Sequence, residues 1–276
     1  MRLPAPEPGL RVSVVVPAKD EEDRIGACLD ALARQVRVEL SAYEVLLVLD
    51  GCTDETAVVA RERLARHAGL RLYLLDGPNR GVGNARKLGM DAAYRRLGSG
   101  GASRKASGGI IASTDADSVV APDWLAAQLA LFDGGAEAVG GRIELERDGE
   151  DLPPHALDWY ERQGRARYER ILAGQRGPGN GLPQEHWQFS GASMSVTTEV
   201  YRRIGGLTSQ RCLEDEHLER ELEAVGARIV RSSAVRVRTS ARTSGRADLG
   251  LATDLARAAS LRDSLAENRE PPGLPA

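Results

Sequence analysis

The sequence predicts an α/β protein in which a mostly parallel, doubly wound sheet is joined to a smaller mixed half. Three observations lead there. Four short apolar runs in the first half of the chain (12–16, 44–49, 70–75 and 110–113) are each followed by a stretch with helical periodicity. Strand and helix signals that alternate in this way build parallel sheets. Each run also ends in polar or acidic residues: Lys19-Asp20-Glu21, Asp50, the 79–86 stretch, and Asp115 with Asp117. The carboxyl ends of the strands are where open parallel sheets bind their ligands.

The elements follow in order. The run 12–16 is valine-rich, as expected of a strand buried on both faces, and stops at Pro17. Asp20 is read as the cap of a helix reaching about residue 36, with acids in its first turn. The second strand, 44–49, ends in Asp50-Gly51, and a helix capped by Thr53 or Asp54 runs to about 67. A third strand at 70–75 and a helix at 84–97 follow. The fourth strand, 110–113, ends in Thr114-Asp115-Ala116-Asp117, and Pro122 opens a helix at 123–132. The second half is mixed. It reads as one or two strands at 136–146, a charged amphipathic helix at 156–172, a strand at 187–196 and a short helix at 199–204. A helix at 214–225, short strands at 227–230 and 234–237, and a C-terminal helix at 248–265 complete it. The Gly- and Pro-rich stretch 174–186 reads as a mobile lid, and 98–109 as a flexible surface insertion. The expected division is a flexible N-terminus (1–10), a ligand-binding half (11–134), a second half of the same domain (135–243), and a C-terminal helix and tail (244–276).

Composition narrows the class. Lys and Arg number 37 against 40 Asp and Glu, a formal charge of −3. A general nucleic-acid binder would need a basic face, so that class is excluded, although a local basic patch is not. Three cysteines without a CxxC pair form neither a disulfide framework nor a cysteine zinc site, and imply a reducing compartment. The four histidines are scattered without metal-ligand spacing. No apolar stretch is long enough to span a membrane, and the first ten residues lack the apolar core of a signal peptide. The expectation is a soluble cytoplasmic protein.

The segments SVVVPAKDEEDRI, LLVLDGCTDET, GNARKLG, STDADSVVAPDWL, FSGASMSVTTEVYRRIGGL and LEDEHL occur in the order seen in family-2 glycosyltransferases, and the chain resembles that family over residues 12–237. The resemblance implies a GT-A fold and transfer of a sugar from a nucleotide donor, with the donor a UDP- or GDP-sugar. It also implies that the loop after the first strand holds the nucleoside, Pro17 near the base and Glu21 near the ribose. Asp50 corresponds to the acid that accepts a hydrogen bond from the nucleobase; the acid usual before it is Leu49 here. A turn role for Asp50 is the bland alternative. Gly81-Val82-Gly83 suggests a dinucleotide fingerprint, but it follows the third strand and ends in Arg86. In the resemblance Arg86 lies beside the nucleotide, where it can pair with the diphosphate, and Lys87 replaces the usual Asn.

Asp115-Ala116-Asp117 follows a buried strand, as a DxD motif does in this family. Asp117 is the expected ligand of a divalent ion, Mg2+ or Mn2+, which neutralises the departing diphosphate. Asp115 is expected at the ribose, or at the metal through water. Asp215 occupies the position of the catalytic base of inverting members, opening a helix where negative charge is favoured. Ser190, Gly191, Glu214 and Arg242 are candidate acceptor or phosphate contacts. The three arginines between residues 238 and 246 are equally a solvated strand end or a clamp for phosphate or carboxylate. The acceptor is expected to be a small-molecule, glycan-linked or lipid-linked hydroxyl. No Q-x-x-R-W motif is present, which disfavours a processive synthase. Two other readings stand beside this one. A sugar-phosphate nucleotidyltransferase would need a glycine-rich loop where PAKDEED stands. A non-catalytic module of the same fold would not need Asp117 and Asp215.

Overall fold

The computed structural model describes residues 3–99, 108–146, 153–174, 183–243 and 249–267. In chain order the elements are β1 (Val12–Ala18), α1 (Ile25–Ala33), β2 (Tyr43–Leu49), α2 (Thr56–Arg66), β3 (Leu72–Asp76), α3 (Val82–Ser99), β4 (Ile110–Ser113), β5 (Ser118–Val120), α4 (Trp124–Asp133), β6 (Ala138–Glu146), α5 (Pro154–Gly174), β7 (Met194–Thr197), α6 (Thr198–Arg203), α7 (Glu214–Ala224), β8 (Ile229–Ser240) and α8 (Leu251–Glu267). The strands described form one sheet in the order β3-β2-β1-β4-β7-β6-β8-β5.

The first four strands are parallel, as their β-loop-α spacing requires. From β4 onward the sheet is mixed: β7 is antiparallel to β4 and to β6, whereas β6 and β8 run parallel. β5 follows β4 closely in sequence yet pairs with β8 at the far edge. The Asp115–Asp117 turn therefore carries the chain from the centre of the sheet to its rim.

Alternation along the strands divides the core in two. Val12, Val14 and Val16 of β1 pack with Tyr43, Val45 and Leu47 of β2 on the side covered by α1 and α4. Val15, Leu46 and Ile111 face the other side, against Met90, Ala93 and Leu97 of α3 and Leu218 and Leu222 of α7. This is the period-2 signature of a sheet buried on both faces. Gly89 sets how closely α3 approaches β1: a β-carbon there would sit 2.3 Å from Val15 Cγ1. Behind the sheet, Glu44 is 1 % exposed. It receives both Nε (2.7 Å) and Nη2 (2.6 Å) of Arg96, and the hydroxyl of Ser13 at 2.7 Å.

Several local expectations are corrected. Asp20 does not cap α1, whose first residue is Ile25. It adopts φ 51 and turns its carboxylate to the Thr53 N–H at 2.7 Å, tying the loop after β1 to the loop after β2. α1 ends at Ala33, short of residue 36. β1 continues through Pro17 to Ala18, whose carbonyl accepts from the Asp50 N–H at 2.8 Å. The strand expected at 187–196 shrinks to β7, because Ser193 N–H donates to the Ser190 carbonyl at 2.9 Å and folds 190–193 into a turn. The two short strands expected at 227–230 and 234–237 are one, β8, with a register shift opposite Gly141 and Arg142. Most of the expected lid, residues 175–182, and of the expected insertion, residues 100–107, lie outside the described residues.

Candidate active site

The carboxyl ends of β1, β2 and β4 open into a cleft of about 680 Å3. Pro17, Glu21, Asp50, Arg86, Asp115 and Asp117 all line it. So do Ser190, Gly191, Glu214, Asp215 and Arg242 from the second half. Every site residue singled out in the sequence thus lies on one cavity. A cleft so rich in acid needs internal countercharge, and two arginines supply part of it.

Arg86, on the first turns of α3, is 2 % exposed. Its Nε donates to Glu214 Oε1 at 2.7 Å and its Nη2 to Asp115 Oδ1 at 2.6 Å. Its Nη1 reaches the Ser113 hydroxyl at 2.5 Å and the Gly191 carbonyl at 3.3 Å. All three nitrogens already have protein acceptors, so the side chain acts as a brace joining β4, α7 and the 190–193 turn. Gly191 packs against this brace; a β-carbon there would lie 2.4 Å from Nη2.

Arg242, just past β8, grips both oxygens of Glu21, at 2.9 and 2.5 Å. The same guanidinium lies 2.9 Å from Asp117 Oδ2. Of the two readings of the basic segment, clamp and solvated strand end, Arg242 has the geometry of a carboxylate clamp. Even so, burial and the neighbouring Asp115 push the Asp117 carboxyl up to about 6, outweighing Arg242. The cluster is short of positive charge and offers hard oxygen donors, and so fits a divalent Mg2+ or Mn2+ ion. A different trio, Asp20, Cys52 and Asp54, brings its ligand atoms within 4.8 Å of one another. Its carboxylates already accept main-chain N–H groups of Thr53, Glu22 and Thr56.

Asp50 accepts from the N–H groups of Gly81 (2.9 Å) and Arg80 (3.3 Å), which closes the loop after β3 over the end of β2. Glu214 and Asp215 open α7, and Leu213 immediately before them is held at φ 59. A left-handed leucine is costly, and strain of this kind collects at functional sites. Burial pushes the Glu214 carboxyl up, against the pull of Arg86. Asp215 Oδ2 accepts from Gly191 N–H at 3.0 Å and its Oδ1 from Glu216 N–H at 2.9 Å. Two main-chain donors thus fix the carboxylate at the lip of the cleft.

Sequence reading missed the aromatic wall. Tyr160 of α5 and Trp187 meet edge to face, centroids 5.4 Å apart at 65°, with Arg167 over the indole at 5.9 Å. All three line the cleft, as do residues 249–254 leading into α8. Their one sequence signal is the tryptophan just before the FSGASMS segment.

Residues 13–181 match the profile of glycosyl transferase family 2. The chain is 31 % identical over 135 residues to glycosyltransferase AglE of Haloferax volcanii, an overlap covering 49 % of this chain and 40 % of that one. It is 30 % identical over 154 residues to a dolichyl-phosphate beta-glucosyltransferase of Drosophila melanogaster, covering 51 % and 43 %. The chain spans less than half the length of these relatives. Among solved structures it resembles the mannosyltransferase PcManGT of Pyrobaculum calidifontis in complex with GDP-Man and Mn2+ (TM-score 0.59, 21 % identity, 97 % of this chain and 79 % of that one). It also resembles S. aureus TarS 1–349 in complex with UDP-GlcNAc (TM-score 0.59, 16 % identity, 94 % and 74 %). The curled mixed sheet with its acidic cleft is the GT-A fold. The chain belongs to glycosyl transferase family 2.

Proposed function

We propose that the protein transfers a sugar from a UDP- or GDP-sugar to an acceptor hydroxyl, with Asp215 as general base and inversion at the anomeric centre. The observation that carries this reading is the meeting of Pro17, Glu21, Asp50, Asp115 and Asp117 with Asp215 in one cleft. The structural neighbours in complex with GDP-Man and Mn2+ and with UDP-GlcNAc support the donor class. Residues 11–134 form the donor half and 135–243 the acceptor half.

In this reading Pro17 and Asp50 meet the base. A carboxylate with two main-chain donors keeps lone pairs for a base N–H. Glu21 and Asp115 face the ribose, each oriented by an arginine. Asp117 would hold the divalent ion, which, when bound, offsets charge on the diphosphate leaving group. Arg86 serves as a positioning brace and not as a diphosphate contact, since its nitrogens are already engaged. Asp215, held by the N–H groups of Gly191 and Glu216, takes the acceptor proton. Glu214 orients that carboxylate through Arg86, Arg242 clamps Glu21 and Asp117, and Ser190 contacts acceptor or phosphate. Cys28, Cys52 and Cys212 are all unbridged, which fits work in the reducing cytoplasm.

A thermal-shift panel of UDP, GDP, ADP, CDP and dTDP with and without Mn2+ tests the reading. A ligand at 100 times its Kd stabilises by about 2.7 kcal/mol. UDP or GDP should raise Tm, and more so with Mn2+. A flat panel rejects the donor assignment.

A further inference from the structure

A second cleft, of about 700 Å3, lies between α5, α7 and the start of β8 and shares Arg167 and Glu216 with the active cleft as a common wall. Five arginines line it (Arg167, Arg170, Arg220, Arg228 and Arg231) against three glutamates, Glu216, Glu219 and Glu223. The buried carboxylate of Glu219 is shared by Arg167 and Arg231. Glu223, 3.8 Å from Arg231, is 56 % exposed and screened by water. Burial lowers both Arg167 and Arg231 from their ordinary range, as expected where two guanidinium groups have one buried partner.

Arg231 is 3 % exposed, and its Nε has no hydrogen-bond partner among the described residues. Its outer nitrogens donate to Gln184 and Glu219, so Arg231 anchors the cleft wall and the ligand-facing forks are those of Arg170 and Arg220. Arg170 and Arg220 donate through Nε to carbonyls of their own helices, Ala166 and Glu216. Their outer nitrogens have no protein acceptor among the described residues. Several guanidinium forks around one space suit a phosphate, whose oxygens they bind in pairs.

We propose that this cleft holds a phosphate group of the acceptor, whose nucleophilic end reaches across the shared wall to Asp215. The assignment rests on the transferase reading and deepens it by naming the acceptor class as a phosphate ester. Leu172 and Val225, two of the exposed large hydrophobics, adjoin the lining residues Ile171 and Gly226 in sequence. The ester can therefore be soluble or lipid-linked.

Titration calorimetry of the full chain with UDP or GDP saturating the donor cleft distinguishes the sources. Its three arms are inorganic phosphate, glucose 1-phosphate and a sugar linked to a short-chain polyprenyl diphosphate in detergent, the last two each carrying a free sugar hydroxyl as the nucleophile. At least one ester should bind, more weakly as salt rises, and should lose roughly tenfold or more in affinity in the double variant Arg170→Gln/Arg220→Gln. Those exposed side chains stand outside the buried ion pairs, so folding and nucleotide affinity should be unchanged. A stronger polyprenyl arm assigns the lipid source, and a stronger glucose 1-phosphate arm the soluble one. The proposal is overturned if neither ester binds, if inorganic phosphate alone binds, or if the double variant binds the esters as well as the parent does. Absence of UDP and GDP binding in the unmodified protein would count against the donor reading alone, and the phosphate arms would then be read without nucleotide.

Discussion

Arg242 reaches from the end of β8 to Asp117 at the end of β4, placing Nη2 2.9 Å from Oδ2. With its grip on Glu21, one guanidinium holds acids from two strand ends. Arg242→Gln should leave those carboxylates facing each other without countercharge. Removing one partner of a buried pair costs about 3–5 kcal/mol; at a cleft wall open to solvent the lower end is expected. Added Mn2+ should restore more stability to the variant than to the parent, as read by chemical denaturation with and without the ion. Equal Mn2+ effects in both proteins would remove Asp117 from the metal site.

Asp215→Asn should bind the donor nucleotide as the parent does and turn over about 10²–10⁴-fold more slowly. The proposed nucleotide contacts sit on other elements, so only the proton transfer should be lost. A near-normal rate in a product assay, or a product with the donor's anomeric configuration, would discard Asp215 as the base of an inverting reaction.

Gly191→Ala should be disproportionately harmful for a single methyl. The new carbon would press on Arg86 and disturb the N–H that holds Asp215. Overpacking of this kind costs about 1–3 kcal/mol. Turnover should fall further than stability does, and comparing kcat with the urea midpoint separates the two.

Glu44→Ala should be among the most destabilising substitutions far from the cleft, by about 3 kcal/mol, because it removes the buried carboxylate that Arg96 grips through two nitrogens. The change is measured by equilibrium unfolding. A loss under 1 kcal/mol would mean that Arg96 escapes to solvent.

His186 should make stability pH-dependent. Burial lowers its pKa to about 4, from an ordinary 6.5. Between those values the unfolded chain binds the proton and the folded one does not, so stability rises with pH across that window and levels off above it. The full effect is about 3 kcal/mol. Urea midpoints from pH 4 to 7 should rise less steeply in His186→Gln than in the parent.

The positions of the acids were legible in the sequence because buried parallel strands advertise themselves as apolar runs, and a polar residue at the end of such a run has one place to go. The partners were not legible. Glu214 and Arg86 lie 128 residues apart, and nothing local in either segment announces their contact. β5 is three residues long, too short to show a period. The sequence of β8 looks like two strands because Arg231, Ser232 and Ser233 interrupt its apolar pattern; Glu219 makes the burial of Arg231 tolerable. Asp20 has the chemistry of a helix cap, but its left-handed backbone aims it at Thr53.

The excursion of β5 to the far rim has a consequence for anyone who would divide this protein. A fragment ending at residue 134 would keep Ser118–Val120 but lose the β8 strand that pairs with it, and would also lose β7 from the open side of β4. The acidic turn between them would then hang from an unfinished edge. The halves are thus stitched together at the Asp115–Asp117 turn itself. Exchange of specificity between relatives has to proceed loop by loop around the cleft, because neither half can be transplanted whole.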